Sequence, residues 1–168
     1  SCESLTDWRH VISRSDIDAV VIATVHSALA EITLYSIRAG LHVLGEKPAA
    51  RNADELEPVF EEYQKLKNEK HLVVKVGFNH RFHPAFQKAK EIMEGGKMGQ
   101  LMFIRGRYGH GGRIGYDKEW RADPEISGGG ELLDQGMHLI DLSRWFLGDF
   151  TKIQGTTKTF FWDMPVDD

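Results

Sequence analysis

The sequence predicts an α/β protein, a doubly wound parallel sheet followed by an α+β part with an open, largely antiparallel sheet. Three observations carry that expectation. Over residues 1–80, short β-branched apolar runs alternate with stretches of helical periodicity, the pattern of strands buried on both faces. Around residues 100–108 the apolar period falls to two, as in a sheet with one solvated face. Near the end, Gly128-Gly129-Gly130 opens a long amphipathic segment that reads as a helix.

Taken in order, residues 4–15 read as a short helix, and residues 17–24, Ile-Asp-Ala-Val-Val-Ile-Ala-Thr, as a buried parallel strand closed by a polar turn. Residues 27–39 have helical spacing with Gly40 as the stop. A second strand, residues 42–45, delivers Glu46-Lys47-Pro48, where the tight turn suggests a cis bond before Pro48. Asn52 is placed to cap a helix over residues 53–68, with Glu55 at the capping-box position. Pro58 fits that helix poorly and is expected to kink it or delay its start. Residues 72–78 make the third strand.

From Asn79 the character changes. Arg81-Phe82-His83-Pro84 introduces a helix over residues 85–94 that Gly95-Gly96 ends. Residues 100–108 read as an antiparallel strand, residues 109–115 as a glycine-rich loop, and residues 131–147 as a helix stopped by Gly148. A last strand is expected over residues 151–162. Phe78, Phe103, Trp145, Phe146 and Phe160 are expected in the core. The domain boundary falls near residues 78–82, giving parts 1–80 and 81–168.

Composition narrows the function classes. With 168 residues, 41% hydrophobic and 27% charged, the chain has the makeup of a soluble globular protein with a sizeable core. A net charge of −4 leaves no basic excess for phosphate backbones, so no nucleic-acid partner is expected. The single cysteine, Cys2, excludes an internal disulfide framework and fits a reducing compartment. No apolar run approaches the roughly 20 residues of a membrane span, and no signal-peptide pattern opens the chain. No membrane partner is expected, and the cytoplasm is the expected location.

Two sites carry chemistry-bearing residues. Lys47 follows an apolar strand, where α/β sheets place ligand crevices; a surface charge pair before a proline would look the same. Asp134 and His138 stand at i,i+4 with Asp141 three further on, so all three share one helical face. That face supports three readings: a solvated surface, a metal site, or a proton relay in which Asp134 orients His138. No second histidine stands at a ligand-like spacing from it. Arg113, beside the glycine-rich loop, would suit a substrate bearing a carboxylate or phosphate.

Together, Glu46-Lys47-Pro48 and the run from Gly128 to Asp141 resemble the glucose-fructose oxidoreductase, inositol dehydrogenase and rhizopine-catabolism (Gfo/Idh/MocA) family of NAD(P)-dependent oxidoreductases. The resemblance implies that residues 1–80 are the C-terminal half of a Rossmann-type dinucleotide domain. Residues 81–168 would then be the first part of a substrate and oligomerisation domain. Nothing in the sequence matches Gly-x-Gly-x-x-Gly after a strand, the loop that carries dinucleotide pyrophosphates. By the family's pattern that loop lies upstream, so the chain is expected to be an internal fragment.

The resemblance also implies roles. Lys47, Asp134 and His138 are the catalytic candidates and, with Arg113, the substrate-binding ones. Thr24, Val25 and His26 would meet the nicotinamide and ribose, and Glu46, Lys47, Asn79, Arg81, Trp120 and Arg121 are further cofactor candidates. Val25 stands where the family usually has proline, and Leu29 where it has histidine. The implied activity is hydride transfer between NAD or NADP and a hydroxyl-bearing carbon of a sugar or cyclitol, by a homo-oligomer without a metal. Three other readings stay open: a dinucleotide- or sugar-sensing regulator without turnover, a metal-dependent hydrolase or isomerase, and a glycoside-cleaving enzyme using NAD transiently.

Overall fold

A computed structural model describes residues 3–168, which form two compact units. One takes in the chain up to Gly77 together with Glu125–Gly128, and the other Phe78–Pro124 with Gly129–Asp168. Cys2 lies outside the described residues.

The first unit is built on three parallel strands in sequence order, β1 (Ala19–Ile22), β2 (His42–Gly45) and β3 (Val74–Val76). Their register pairs Ile22 with Gly45 and Gly45 with Val76, so the carboxyl ends of all three finish level at one edge. Helices α1 (Trp8–Ile12), α2 (His26–Ala39) and α3 (Ala53–Leu66) complete this part, with the short α5 (Pro124–Ser127). On α2 the buried residues Leu29, Ile32, Thr33, Ser36 and Ile37 recur at helical spacing, and Ile37 is fully buried. Leu29, Ile32 and Ile37 join Ile22, Val43, Val59 and Leu72 in one core, each large aliphatic stabilising the fold by about 1.5–3 kcal/mol. The Ser36 hydroxyl is satisfied inside that core by donating to the Ile32 carbonyl at 2.7 Å. Gly40, at φ +84°, closes α2 with its own N–H on Ile37 O and that of Leu41 on Ser36 O, a left-handed cap that favours glycine.

Asn52 caps α3 as expected, its side-chain oxygen accepting the Glu55 N–H at 2.9 Å. Glu55 in turn accepts the Arg51 N–H at 3.1 Å and the Arg51 guanidinium, which holds its carboxyl below the usual range. Pro58 does not delay this helix, which starts at Ala53 and continues through it. The carbonyl deprived of a donor is that of exposed Asp54, where water can replace the missing N–H.

In the second unit, α4 (Pro84–Glu94) starts from His83, whose Nδ1 accepts the Ala85 N–H, with Pro84 at the first helical position. The expected helix over residues 131–147 is divided: Leu132–Gly136 is wound as a π-helix and α6 (Met137–Leu147) follows as regular α-helix. Neither strand expected over residues 100–108 and 151–162 forms, so the largely antiparallel sheet is absent among the described residues. A strand exists only through a neighbour that takes its main-chain hydrogen bonds, and neither segment has one here. Phe103 and Phe160, expected in the core, are 73% and 80% exposed for the same reason.

Candidate active site

The level edge of the parallel sheet is where the first unit gathers its polar groups. β1 runs out through exposed Thr24 to Val25, which precedes the first turn of α2. His26 opens that helix, but it is not the surface histidine its loop position suggests: it is 4% exposed, and its Nδ1–H donates to the Ser127 carbonyl at 2.8 Å. A buried imidazole with a main-chain partner ties the start of α2 to α5.

β2 ends in the Glu46-Lys47-Pro48 turn. Glu46 is exposed, Lys47 half-buried and Pro48 buried, and the peptide bond between Lys47 and Pro48 is cis. The turn is tied to the sheet through the Glu46 N–H on Ile22 O at 2.9 Å, and it closes with the Ala49 N–H on Glu46 O at 3.3 Å. Ala49 holds a left-handed φ of +80°, uncommon for a residue with a Cβ, so the backbone here is constrained. Lys47 therefore stands on a fixed turn rather than a loose loop.

The second unit holds the other half of the candidate residues. Asp134 lies in the π-turn, 4% exposed, with its Oδ2 accepting from Arg121 Nε at 3.0 Å and from the Gln135 amide at 3.3 Å. Arg121 is itself stacked over the Trp120 ring at 4.5 Å and stands 3.6 Å from Glu119. His138, in the first turn of α6, is 7% exposed. Its ring lies 4.0 Å from the His80 ring and stands T-shaped to Tyr108 and Phe78 at 6.1 and 6.5 Å.

Burial also shapes the acids nearby. The Tyr116 hydroxyl is pushed up to about 12, chiefly by burial and then by the negative charges of Glu131 and Asp134. Glu131 is raised for the same first reason, and no hydrogen bond reaches either of its buried carboxyl oxygens among the described residues. Its closest attractive group is the His110 imidazole, 3.5 Å from Oε1. Both residues border an open cleft of about 550 Å³ together with Arg107 and Tyr108.

Arg81, a cofactor candidate in the sequence, is engaged elsewhere in this structure. Its Nε and Nη2 fork onto the Asp141 carboxylate at 2.7 and 2.6 Å, and that carboxylate raises the Arg81 guanidinium further. Asp141 accordingly leaves the relay face and becomes the partner of the residue 60 positions earlier. Asn79 is exposed at the start of the short turn that carries Arg81. Arg113 is 70% exposed and pairs with Glu119 at 2.8 Å. Sequence reasoning missed His80, Tyr108 and Glu131 as neighbours of the site. A histidine one residue before Arg81 was a readable signal for the first; nothing local marked the other two. Among the described residues, no group of three His, Cys, Asp or Glu stands placed to hold a metal ion, and no helix is long and apolar enough to cross a membrane.

Comparison with known proteins places both parts of the chain in one family. Residues 1–78 match the model of the oxidoreductase family with an NAD-binding Rossmann fold, and residues 86–168 match that of the GFO/IDH/MocA C-terminal domain. The levoglucosan dehydrogenase of Pseudarthrobacter phenanthrenivorans is 33% identical over 97% of this chain and 41% of its own length. An inositol 2-dehydrogenase of Salmonella paratyphi B is 27% identical over 92% of the chain and 42% of its length. Among solved structures, a levoglucosan dehydrogenase in complex with NADH and levoglucosan superposes with a TM-score of 0.84 at 29% identity, covering 98% of this chain and 46% of that one. The chain thus spans less than half the length of these relatives. With a Rossmann-type sheet in its first part and the C-terminal-domain match in its second, the chain belongs to the Gfo/Idh/MocA family of oxidoreductases.

Proposed function

We propose that the protein carrying this chain is an NAD(P)-dependent dehydrogenase acting on a secondary hydroxyl of a sugar or cyclitol. The observation that carries the reading is the buried pair Asp134 and His138 at the head of α6, in a chain matched along nearly its whole length by models of one oxidoreductase family. The relatives' names support the substrate class, and the NADH complexes among the similar structures support the cofactor.

The dinucleotide fits the first unit in part. The exposed hydroxyl of Thr24 and the half-buried Lys47 stand at the open carboxyl edge of a parallel sheet, the side on which such sheets take ligands. They would hold its nicotinamide end, since the pyrophosphate loop is not part of this sequence. When bound, the dinucleotide would supply the hydride acceptor for the carbinol carbon. His138 accepts the hydroxyl proton, and Asp134 supports the imidazole that becomes charged. Lys47 lowers the cost of negative charge developing on the same oxygen. Arg113 remains a substrate contact in this reading, and Trp120 and Arg121 act on the cofactor side. We also assign the whole protein to the cytoplasm and to a homo-oligomer, with residues 100–108 and 151–162 joining an open antiparallel sheet once they have neighbours.

The test is formation of the reduced nicotinamide from either dinucleotide with levoglucosan, myo-inositol and a panel of free sugars. Lys47→Ala should lower turnover by about 10²-fold, the scale of losing one electrostatic stabiliser, while cofactor binding falls far less. Near-normal turnover in that variant would make the Glu46-Lys47-Pro48 turn structural only. Absence of reduction with every polyol would overturn the activity itself.

A further inference from the structure

His138 is held by more than its own helix. Its ring lies 4.0 Å from the ring of His80 at an interplanar angle of 52°, near enough for the two faces to touch. Tyr108 stands T-shaped to both, at 5.3 Å from His80 and 6.1 Å from His138, with interplanar angles of 82° and 78°. Phe78 closes a further side at 6.5 Å and 85°. His80 is positioned from the far side by Phe86 of α4, at 6.3 Å. The turn carrying His80 is fastened to α6 by the Arg81 fork on Asp141, one helical turn beyond His138.

Such an arrangement restrains an imidazole. Packing on three sides removes the freedom of the ring to turn about its Cβ bond, so its nitrogens keep fixed directions. No comparable packing follows from the sequence spacing of Asp134 and His138.

We propose that His80 is a positioning residue for His138: with Tyr108 and Phe78 it forms an aromatic cradle that fixes the orientation of the His138 ring. The proposal rests on the reading of His138 as the base. What His80 contributes is its flat ring rather than a nitrogen of its own, so phenylalanine should replace it and alanine should not.

The experiment compares His80→Phe and His80→Ala in the protein that carries this chain. With a polyol substrate, His80→Ala should lose about tenfold in kcat with KM little changed, the scale of one ring–ring contact, and His80→Phe should stay within a few-fold of the parent. In parallel, spectra of isotope-labelled histidine should show the His138 ring protons moving in His80→Ala and staying closer to the parent in His80→Phe. Equal losses in the two variants would overturn the cradle, because an imidazole nitrogen would then be what matters. Unchanged His138 ring resonances in His80→Ala would overturn it whatever the activity. A parent that oxidises no polyol would refute the reading of His138 as a base, and the spectra would still decide the packing.

Discussion

Replacing Arg81 by methionine removes the cation from a carboxylate that water hardly reaches. The Asp141 side chain is 8% exposed, and both its oxygens accept from the Arg81 guanidinium. Breaking a fully buried pair costs about 3–5 kcal/mol, because the remaining charge is stranded. Arg81 is 37% exposed, so solvent can follow the missing guanidinium toward Asp141, and about 2 kcal/mol is the better expectation. For a unit of this size that corresponds to a fall of about 8–16 °C in the melting temperature. Asp141→Leu alone should cost less, since the Arg81 it leaves can turn to water. Arg81→Met with Asp141→Leu should recover most of the loss, giving a coupling of about 1–2 kcal/mol in a double-mutant cycle. Urea unfolding followed by tryptophan fluorescence is a suitable assay, because Trp145 lies 5.9 Å from the Arg81 guanidinium. If Arg81→Met left stability within about 0.5 kcal/mol of the parent and instead weakened dinucleotide binding, Arg81 would be a cofactor ligand and the structural account would be wrong.

Gly130→Ala should destabilise by about 1–3 kcal/mol or more, because its new Cβ would fall 1.7 Å from the Asp167 carbonyl oxygen; Gly155→Ala, with nothing within 4 Å, is the control in the same melt. Glu131 is raised in the folded protein by burial, against the pull of His110 and with the push of Asp134 and Asp167, so the folded state keeps its proton above the pH at which the unfolded chain loses it. Stability should therefore fall as pH rises from the ordinary carboxylate range through the folded value, and Glu131→Gln should lack that fall; parallel melting-temperature curves for the two proteins would contradict it. Polyol oxidation should rise with pH as the His138 imidazole becomes free to accept a proton, and His138→Asn should be both slower and flatter in its pH profile. A His138→Asn enzyme that kept the parental profile would move the base to another group.

The parallel sheet could be read from the chain because its signals are local. β-Branched runs, the Asn52–Glu55 cap and the glycine after α2 each act within a few residues. Local signals also bring Asp134 and His138 onto one segment, and they place Lys47 on a turn at a strand end. What the sequence did not disclose depends on partners far along it. Arg81 finds Asp141 across 60 positions, and His26 finds Ser127 across 101. The alternation at residues 100–108 predicted a strand that does not form, because a strand is a property of two segments and no segment pairs with this one among the described residues. Tolerance of Pro58 turned on exposure, which helical spacing alone does not report.

The π-turn of Leu132–Gly136 works as a phase shifter. In an unbroken α-helix each residue steps about 100° around the axis, so Asp134 and His138 would be obliged to look nearly the same way. The wider π-turn changes that step, and around it the Asp134 carboxylate accepts from Arg121 while the His138 ring packs against His80 and Tyr108. Deleting Gln135 would restore a continuous α-helical ladder from Glu131 to Leu147 and, by local hydrogen bonding, a more regular helix. It would also rotate Asp134 away from its partner. Stabilising this protein by idealising that helix would therefore cost Asp134 its bond to Arg121, and loop or surface positions are the safer targets.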